Sequence, residues 1–300
     1  MAQFRQNHGR ENKGLQTTFR MVVGLIFAVL ALVGGGYYFK NQIDFTTPDA
    51  NPASGEDYSL RTFLPTSTGE IVHHKYYSLS YKESAEQAEW VAYHMDRTML
   101  NAENVQRQRD FMEDPLVQSQ SAHHRDYSNS GYTRGHMAPA GDMAFDSVAM
   151  YESFYMSNMS PQLRQVNNGI WKELEENIRD WTYKAENLYI ITGPILTNPI
   201  KTIGKSSKVT VPSAFYKILL DYTQPEKKGI AFIIPHEMSE RRLQEYMVPI
   251  DEVERQTGLD FFGNMINDTE EEQLESTIDK SKWNVSEKRY QLRISKWNYE

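Results

Sequence analysis

Met21 to Phe39 is a run of 19 residues without a charge, and it divides the chain before any folding argument begins. At about 1.5 Å per residue, such a helix reaches across the hydrocarbon core of a bilayer. Tyr37 and Tyr38 close it at one end, where amphipathic rings favour the membrane interface. Before it stand Arg5, Arg10, Lys13 and Arg20 against Glu11 alone, although the whole chain carries a net charge of −8. This asymmetry predicts a single-pass anchor over 21–39, with the basic residues 1–20 inside and the larger part of the chain outside the cytoplasm. That side is periplasmic or extracellular, or the mitochondrial intermembrane space in a eukaryote. A cleaved signal peptide is the rival, but no A-x-A pattern follows and the run is long for such a segment. A basic, nearly acid-free start also fits a mitochondrial presequence.

Residues 40–60 are rich in Pro, Ser, Asp and Asn, have no apolar period and read as a linker. A domain is expected over 61–265, followed by an acidic and then mixed segment, 266–300, that reads as a solvated tail. With 39% hydrophobic and 24% charged residues, disorder and a multi-pass membrane protein are excluded. The chain has no cysteine, which removes a disulfide framework, a zinc-thiolate site and a cysteine nucleophile. The acidic balance means that any phosphate site is a local basic patch on an acidic body. Strands are expected over Glu70–Ser80, Leu188–Thr192, Phe215–Asp221 and Ile230–Pro235, where apolar residues are bounded by Pro and Gly. Glu86–Leu100 reads as partly helical, and Asp251–Gly258 as a short helix capped by its glycine. Residues 101–135 read as a long loop, and such loops inside a domain are usually functional or disordered.

Chemistry concentrates after that loop. The segment Gly131-Tyr132-Thr133-Arg134-Gly135-His136-Met137-Ala138-Pro139 places a histidine two residues after an arginine, between glycine and proline. Further on, Trp171, Leu174, Ile178 and Trp181 recur at helical spacing and form one apolar stripe. At about 100° per residue, Asn167 falls in the middle of that stripe, with Glu175 and Arg179 on its shoulder. A buried amide must be paired, at a cost of about 1–3 kcal/mol if it is not. Asn167 is therefore either a structural cap or a neutral oxygen ligand for a hard cation such as Mg²⁺, which keeps several waters and takes few protein ligands. Spacing alone leaves these two readings even.

The T-R-G-H-M-A-P-A segment, then S-N-M-S-P-Q and N-N-G-I-W-K-E-L-E, resembles the DNA/RNA non-specific endonucleases of the ββα-metal class, the endonuclease G relatives among them. Blocks around Trp90–His94, Arg109–Pro115, Ile191–Pro194, Val211–Lys217 and Thr257–Phe262 extend the likeness in family order over roughly 65–265. The resemblance implies an α+β, ββα-metal nuclease fold with a central antiparallel sheet. It implies Mg²⁺-dependent hydrolysis of DNA and RNA phosphodiesters, with little sequence preference and 5′-phosphate products, and leaves Mn²⁺ as an alternative ion. By the same likeness His136 is the general base, Asn167 the direct metal ligand and Glu175 the holder of a metal-bound water. Arg109 and Arg134 clamp the phosphate, and Asn158 and Arg179 orient Asn167 and Glu175. One position departs from the pattern: Thr133 stands where the family has aspartate. Arg107, Arg125 and Lys172 add to a basic patch or are plain surface charge. A homodimer stays open.

Two rivals fail on the residues. His236-Glu237 begins like H-E-x-x-H, but Glu240 occupies the position of the second histidine. A Ser-His-Asp hydrolase lacks its G-x-S-x-G elbow. The remaining alternative is a membrane-tethered nucleic-acid-binding module on a nuclease-derived fold, since fold does not imply function. Retention of His136, Asn167, Glu175, Arg109 and Arg134 together argues against it.

Overall fold

Strands with two apolar faces build the centre of this protein. In β9 (Ala214–Asp221), Phe215 and Leu219 belong to one core, while Tyr216, Ile218 and Leu220 belong to the other. Because successive side chains point to opposite faces, such a strand reads as a continuous apolar run. The computed structural model describes residues 63–223, 225–263 and 266–300. The expected anchor over 21–39 and the whole of the linker over 40–60 lie outside them. Among the described residues, no helix is long and apolar enough to cross a membrane.

The elements in chain order are β1 (Glu70–His73), β2 (Tyr77–Lys82), β3 (Gln87–Asp96), α1 (Arg97–Asn101), β4 (Thr133–His136), α2 (Ser147–Glu152) and β5 (Met159–Gln162). A π-helical turn, Val166–Trp171, leads into α3 (Lys172–Ala185). Then come β6 (Asn187–Ile195), β7 (Lys201–Ile203), β8 (Val209–Val211), β9, β10 (Lys228–Pro235), β11 (Met247–Val248), α4 (Ile250–Thr257), α5 (Asp268–Glu275) and α6 (Glu287–Ser295). Seven strands form one sheet in the order β1-β2-β3-β6-β9-β10-β11, with every pair antiparallel. The separate β4–β5 pair and the π turn with α3 stand on one face of this sheet, and α4 with Leu259, Phe261, Phe262 and Ile266 on the other.

The fold is thus the mixed α/β architecture with a central antiparallel sheet that was expected. One local expectation is corrected. Glu86–Leu100 is mainly strand: Trp90 and Ala92 face one core, and Val91, Tyr93 and Met95 the other. Burial on both sides erased the alternation that marks a strand. Helix is confined to α1, which starts where the Asp96 carboxylate accepts from the Met99 N–H at 2.9 Å.

The α3 stripe packs as its spacing predicts. Trp171, Leu174, Ile178 and Trp181 are buried, each contributing about 1.5–3 kcal/mol of burial. Trp171 meets Phe215, while Trp181 stacks on Phe232 and meets Trp283 edge-on. Trp283 belongs to the segment expected to be a solvated tail, and that expectation is corrected. Trp283, Arg293, Trp297 and Asn298 are all buried, and the segment forms part of the compact unit Tyr58–Glu300. Its surface is acidic enough to mislead a reading by charge, but a few large residues at wide spacing carry its packing.

The strongest tie is ionic. The Arg293 guanidinium donates to Glu173 of α3 at 2.5 Å, to the carbonyl of Arg241 at 2.5 Å and to that of Ser239, with both charged side chains fully buried. Removing one partner strands the other charge in the interior. Arg293→Ala should therefore lose about 3–5 kcal/mol of stability in denaturant unfolding; an unchanged midpoint would return the segment to the status of a tail.

Candidate active site

The site grows from β4. Its four residues pair with β5, from Thr133 opposite Gln162 to His136 opposite Met159. Gly135 is dictated by close approach: a Cβ there would lie 2.0 Å from Oε1 of Gln162. The start of the following helix docks along the same strand by two bonds. The Asn167 amide donates to the Thr133 hydroxyl at 3.0 Å, and the Trp171 indole N–H to the His136 carbonyl at 3.4 Å.

Asn167 is not on a regular helix. The π turn inserts an irregular Gly169 (φ −94°, ψ −109°) between it and α3, so extrapolating the wheel back from Trp171 gave a false position. Asn167 is half-buried rather than sealed in the stripe. Gly169 is required here too, because a Cβ would approach Oδ1 of Asn298 to 2.4 Å. Thr133 resolves which way the amide points. Its hydroxyl donates its single proton to the Gln162 carbonyl at 2.9 Å and can only accept from Asn167. The amide nitrogen is therefore committed to Thr133, which leaves the carbonyl oxygen available as a ligand.

His136 is half-buried between two aromatic rings, Phe154 edge-on at 4.8 Å and Phe111 at 5.8 Å. Its Nε2 is buried and has no hydrogen-bond partner among the described residues, and the same holds for Nε of Arg134. Burial, and then the charge of Arg107, push the His136 imidazole down to about 3, so the ring is neutral across the physiological range. Arg134 lies over Phe111 and Tyr127 and donates to the His124 carbonyl at 2.6 Å.

Across from these, α3 presents Glu175 and Arg179. Arg179 pairs at 2.7 Å with Asp142, which is buried and also accepts from the Tyr93 hydroxyl at 2.8 Å. Burial pushes the Glu175 carboxyl up to about 7, opposed by Lys217, reinforced by Asp142 and opposed again by Arg179 and Arg107. Lys217 is fully buried, and burial holds it below the ordinary lysine range. Arg107 acts on both His136 and Glu175, which marks them as parts of one field.

Some expected roles move. Asn158 does not reach Asn167 or Glu175. Its side chain accepts from the Ala138 N–H at 2.8 Å and donates to the carbonyls of Ala138 and Ser153, pinning the turn after His136. Arg109 is exposed on the loop, beside Arg107, Phe111 and Phe154 in a shallow depression. Arg107, which lies over Phe154, is the loop arginine whose charge reaches His136. Lys172 sits over Trp297, and Arg125 lies apart in a groove with Lys205. His236 is structural: Nδ1 is 2.8 Å from the Pro212 carbonyl and Nε2 accepts from the Leu163 N–H.

The loop itself is held. Val105 bonds to Ala144, Met112 pairs with Phe154 and Met156, and the Asp114 carboxylate meets His74 and Ser157. Sequence reasoning missed Asp142 and Lys217. A lysine inside the apolar run F-Y-K-I-L-L was the available signal, because a buried charge must have partners.

Glu175 gives a titration test. Its carboxyl is raised in the fold above the model-peptide value near 4.5, so the folded state binds more protons between about 4.5 and 7. Its contribution to stability is complete below about 4.5 and is lost as pH rises through about 7. In EDTA, the melting temperature of wild type should fall more steeply between pH 5 and 8, taken as about the titration window, than that of Glu175→Gln; parallel curves would contradict the raised value.

Comparison with known proteins identifies the family. A sequence model of the DNA/RNA non-specific endonucleases matches residues 57–267. The chain is 33% identical over 260 residues to the mitochondrial nuclease EXOG of Danio rerio, covering 81% of this chain and 74% of that protein. It is 35% identical over 202 residues to the mitochondrial nuclease of Saccharomyces cerevisiae, covering 60% and 61%. It is 32% identical over 206 residues to human mitochondrial endonuclease G, covering 63% and 68%. The crystal structure of an EndoG/EndoGI complex, whose title concerns EndoG inhibition, aligns with a TM-score of 0.61 at 30% identity over 69% of this chain and 91% of that one. The chain belongs to the DNA/RNA non-specific endonuclease family and is a nuclease, a hydrolase of phosphodiester bonds.

Proposed function

We propose that this nuclease cuts DNA and RNA by Mg²⁺-dependent hydrolysis, with His136 as general base, Asn167 as the direct metal ligand and Arg134, Arg107 and Arg109 around the phosphate. The observation that carries the reading is the unpartnered, buried Nε2 of a neutral His136, on the same strand as the Thr133 hydroxyl that orients the Asn167 amide. A neutral imidazole can take a proton from water, and its proton affinity rises when a phosphodiester brings negative charge beside it. The donor set suits a hard, hydrated cation: an amide oxygen and the carboxylate of Glu175, whose proton affinity is raised chiefly by burial and would fall beside a bound cation. When bound, Mg²⁺ would polarise a phosphate oxygen and stabilise the leaving oxygen; Mn²⁺ offers the same chemistry. Arg134 and Arg107 lie over aromatic rings, and their guanidinium forks suit a phosphate. Such contacts carry no base information, in keeping with low sequence preference.

The acidic cluster Asp251, Glu254 and Glu275 is not this metal site. It belongs to α4 and α5, on the opposite face of the sheet. For location, we propose that residues 21–39 tether the domain in a mitochondrial membrane, with the nuclease domain on the intermembrane side. The apolar run, its basic flank and the mitochondrial relatives support this. Carbonate extraction should then leave the full chain in the membrane pellet and release a chain starting at residue 45.

His136→Ala should abolish cutting of plasmid and RNA while circular dichroism and melting stay near wild type; retained cutting would remove the base role. Asn167→Ala, and to a lesser degree Thr133→Val, should raise the Mg²⁺ needed for half-maximal rate, by about 10–100-fold for the orienting hydroxyl, with Thr133→Ser close to wild type. An unchanged metal titration would make both structural. If wild type binds nucleic acid but cuts nothing with Mg²⁺ or Mn²⁺, the chain is a binding module on this fold.

A further inference from the structure

We propose that Asp251, Glu254 and Glu275 form a second divalent-cation site, of calcium type, on the face of the sheet opposite the nuclease centre. Each offers a carboxylate oxygen, and these oxygens lie within 4.8 Å of one another. The oxygens are thus close enough to share one cation, and an irregular, carboxylate-rich set suits calcium, which takes about six to eight oxygens in flexible geometry, better than magnesium, which demands a near-ideal octahedron. Three carboxylates graded from exposed Asp251 through half-buried Glu254 to buried Glu275 leave an open side for water ligands.

The independent observation is Glu275 itself. It is 4% exposed, and its Oε1 is buried with no hydrogen-bond partner among the described residues. Glu275 ends α5, where the negative end of the helix dipole adds to its own charge, and the last turn holds no basic residue. No lysine or arginine forms an ion pair with any of the three among the described residues. Arg255 turns instead to Glu252, and Lys227 to Glu270. One oxygen of Glu254 accepts from the Phe261 N–H at 2.8 Å, which steadies its carboxylate. Asp260 and Glu271 deepen the negative field. Close packing fixes the cluster in place: a Cβ on Gly229 of β10 would come 3.0 Å from the Leu274 carbonyl and 2.9 Å from the Ile250 side chain.

A proton could answer the same charge, since burial and the neighbouring carboxylates push the Glu275 carboxyl up to about 9. Calcium and proton differ in what they predict. The cation would cross-link α4 to α5 and so hold the segment that continues to Trp283 and Arg293 behind α3. The test is Ca²⁺ titration of the full chain after EDTA treatment, read by calorimetry and by melting temperature. Wild type should bind Ca²⁺ and melt higher in its presence. Asp251→Asn, an exposed change safe for folding, and Glu275→Gln should each weaken Ca²⁺ by about tenfold or more, while Asn167→Ala should keep the full response. No Ca²⁺-dependent rise in wild type, or a rise that survives Asp251→Asn and is lost in Asn167→Ala, would overturn the site. Should Glu275→Gln fail to fold, Asp251→Asn decides alone.

Discussion

The hydroxyl of Thr133 is the small interaction on which the site's geometry rests. It has one proton to give, and it gives it to the partner strand. What remains is an acceptor, and the Asn167 amide must meet it with nitrogen. An amide free to flip would offer either atom; one held by Thr133 keeps its oxygen free, as the proposed metal-ligand role requires. The residue that departs from the family's aspartate thus has a defined job at this position, carried out by a neutral group.

Desolvation organises the rest. His136, Lys217 and Glu175 are each driven towards the uncharged form by burial, while Arg107, Arg179 and Asp142 supply the fixed charges that decide how far. The walls responsible are apolar or aromatic: Phe111 and Phe154 around the imidazole, and Trp171 beneath the Lys217 ammonium. In such surroundings electrostatic interactions are stronger than they would be in water, which is what the proposed phosphate site would draw on.

The last residues of the chain buttress this arrangement from behind. Asn298 fills the space left by the missing side chain at Gly169, Trp283 closes on Trp181, and Arg293 locks onto Glu173. The π turn that displaces Asn167 from the helix is thereby packed on its outer side. A segment whose composition suggests solvent exposure instead helps to fix the helix that carries Glu175 and Arg179.

Sequence alone determined what depends on local order. The α3 stripe, the three inner strands, the Gly258 cap and the His136 segment were legible because periodicity and turn chemistry are local properties. Membership of the family could be read from the short, ordered blocks through their resemblance. Tertiary structure decided what depends on residues far apart. Only the packed fold places Arg107 rather than Arg109 in the field of His136, turns Asn158 to the Ala138 backbone, and buries Lys217 opposite Glu175. The same holds for strand β3, whose two buried faces hid its alternation, and for the C-terminal segment, whose few anchoring residues carry meaning only against α3. Burial, and hence the charge state of a side chain, is a property of the neighbours that the folded chain assembles, and no window of adjacent residues contains it.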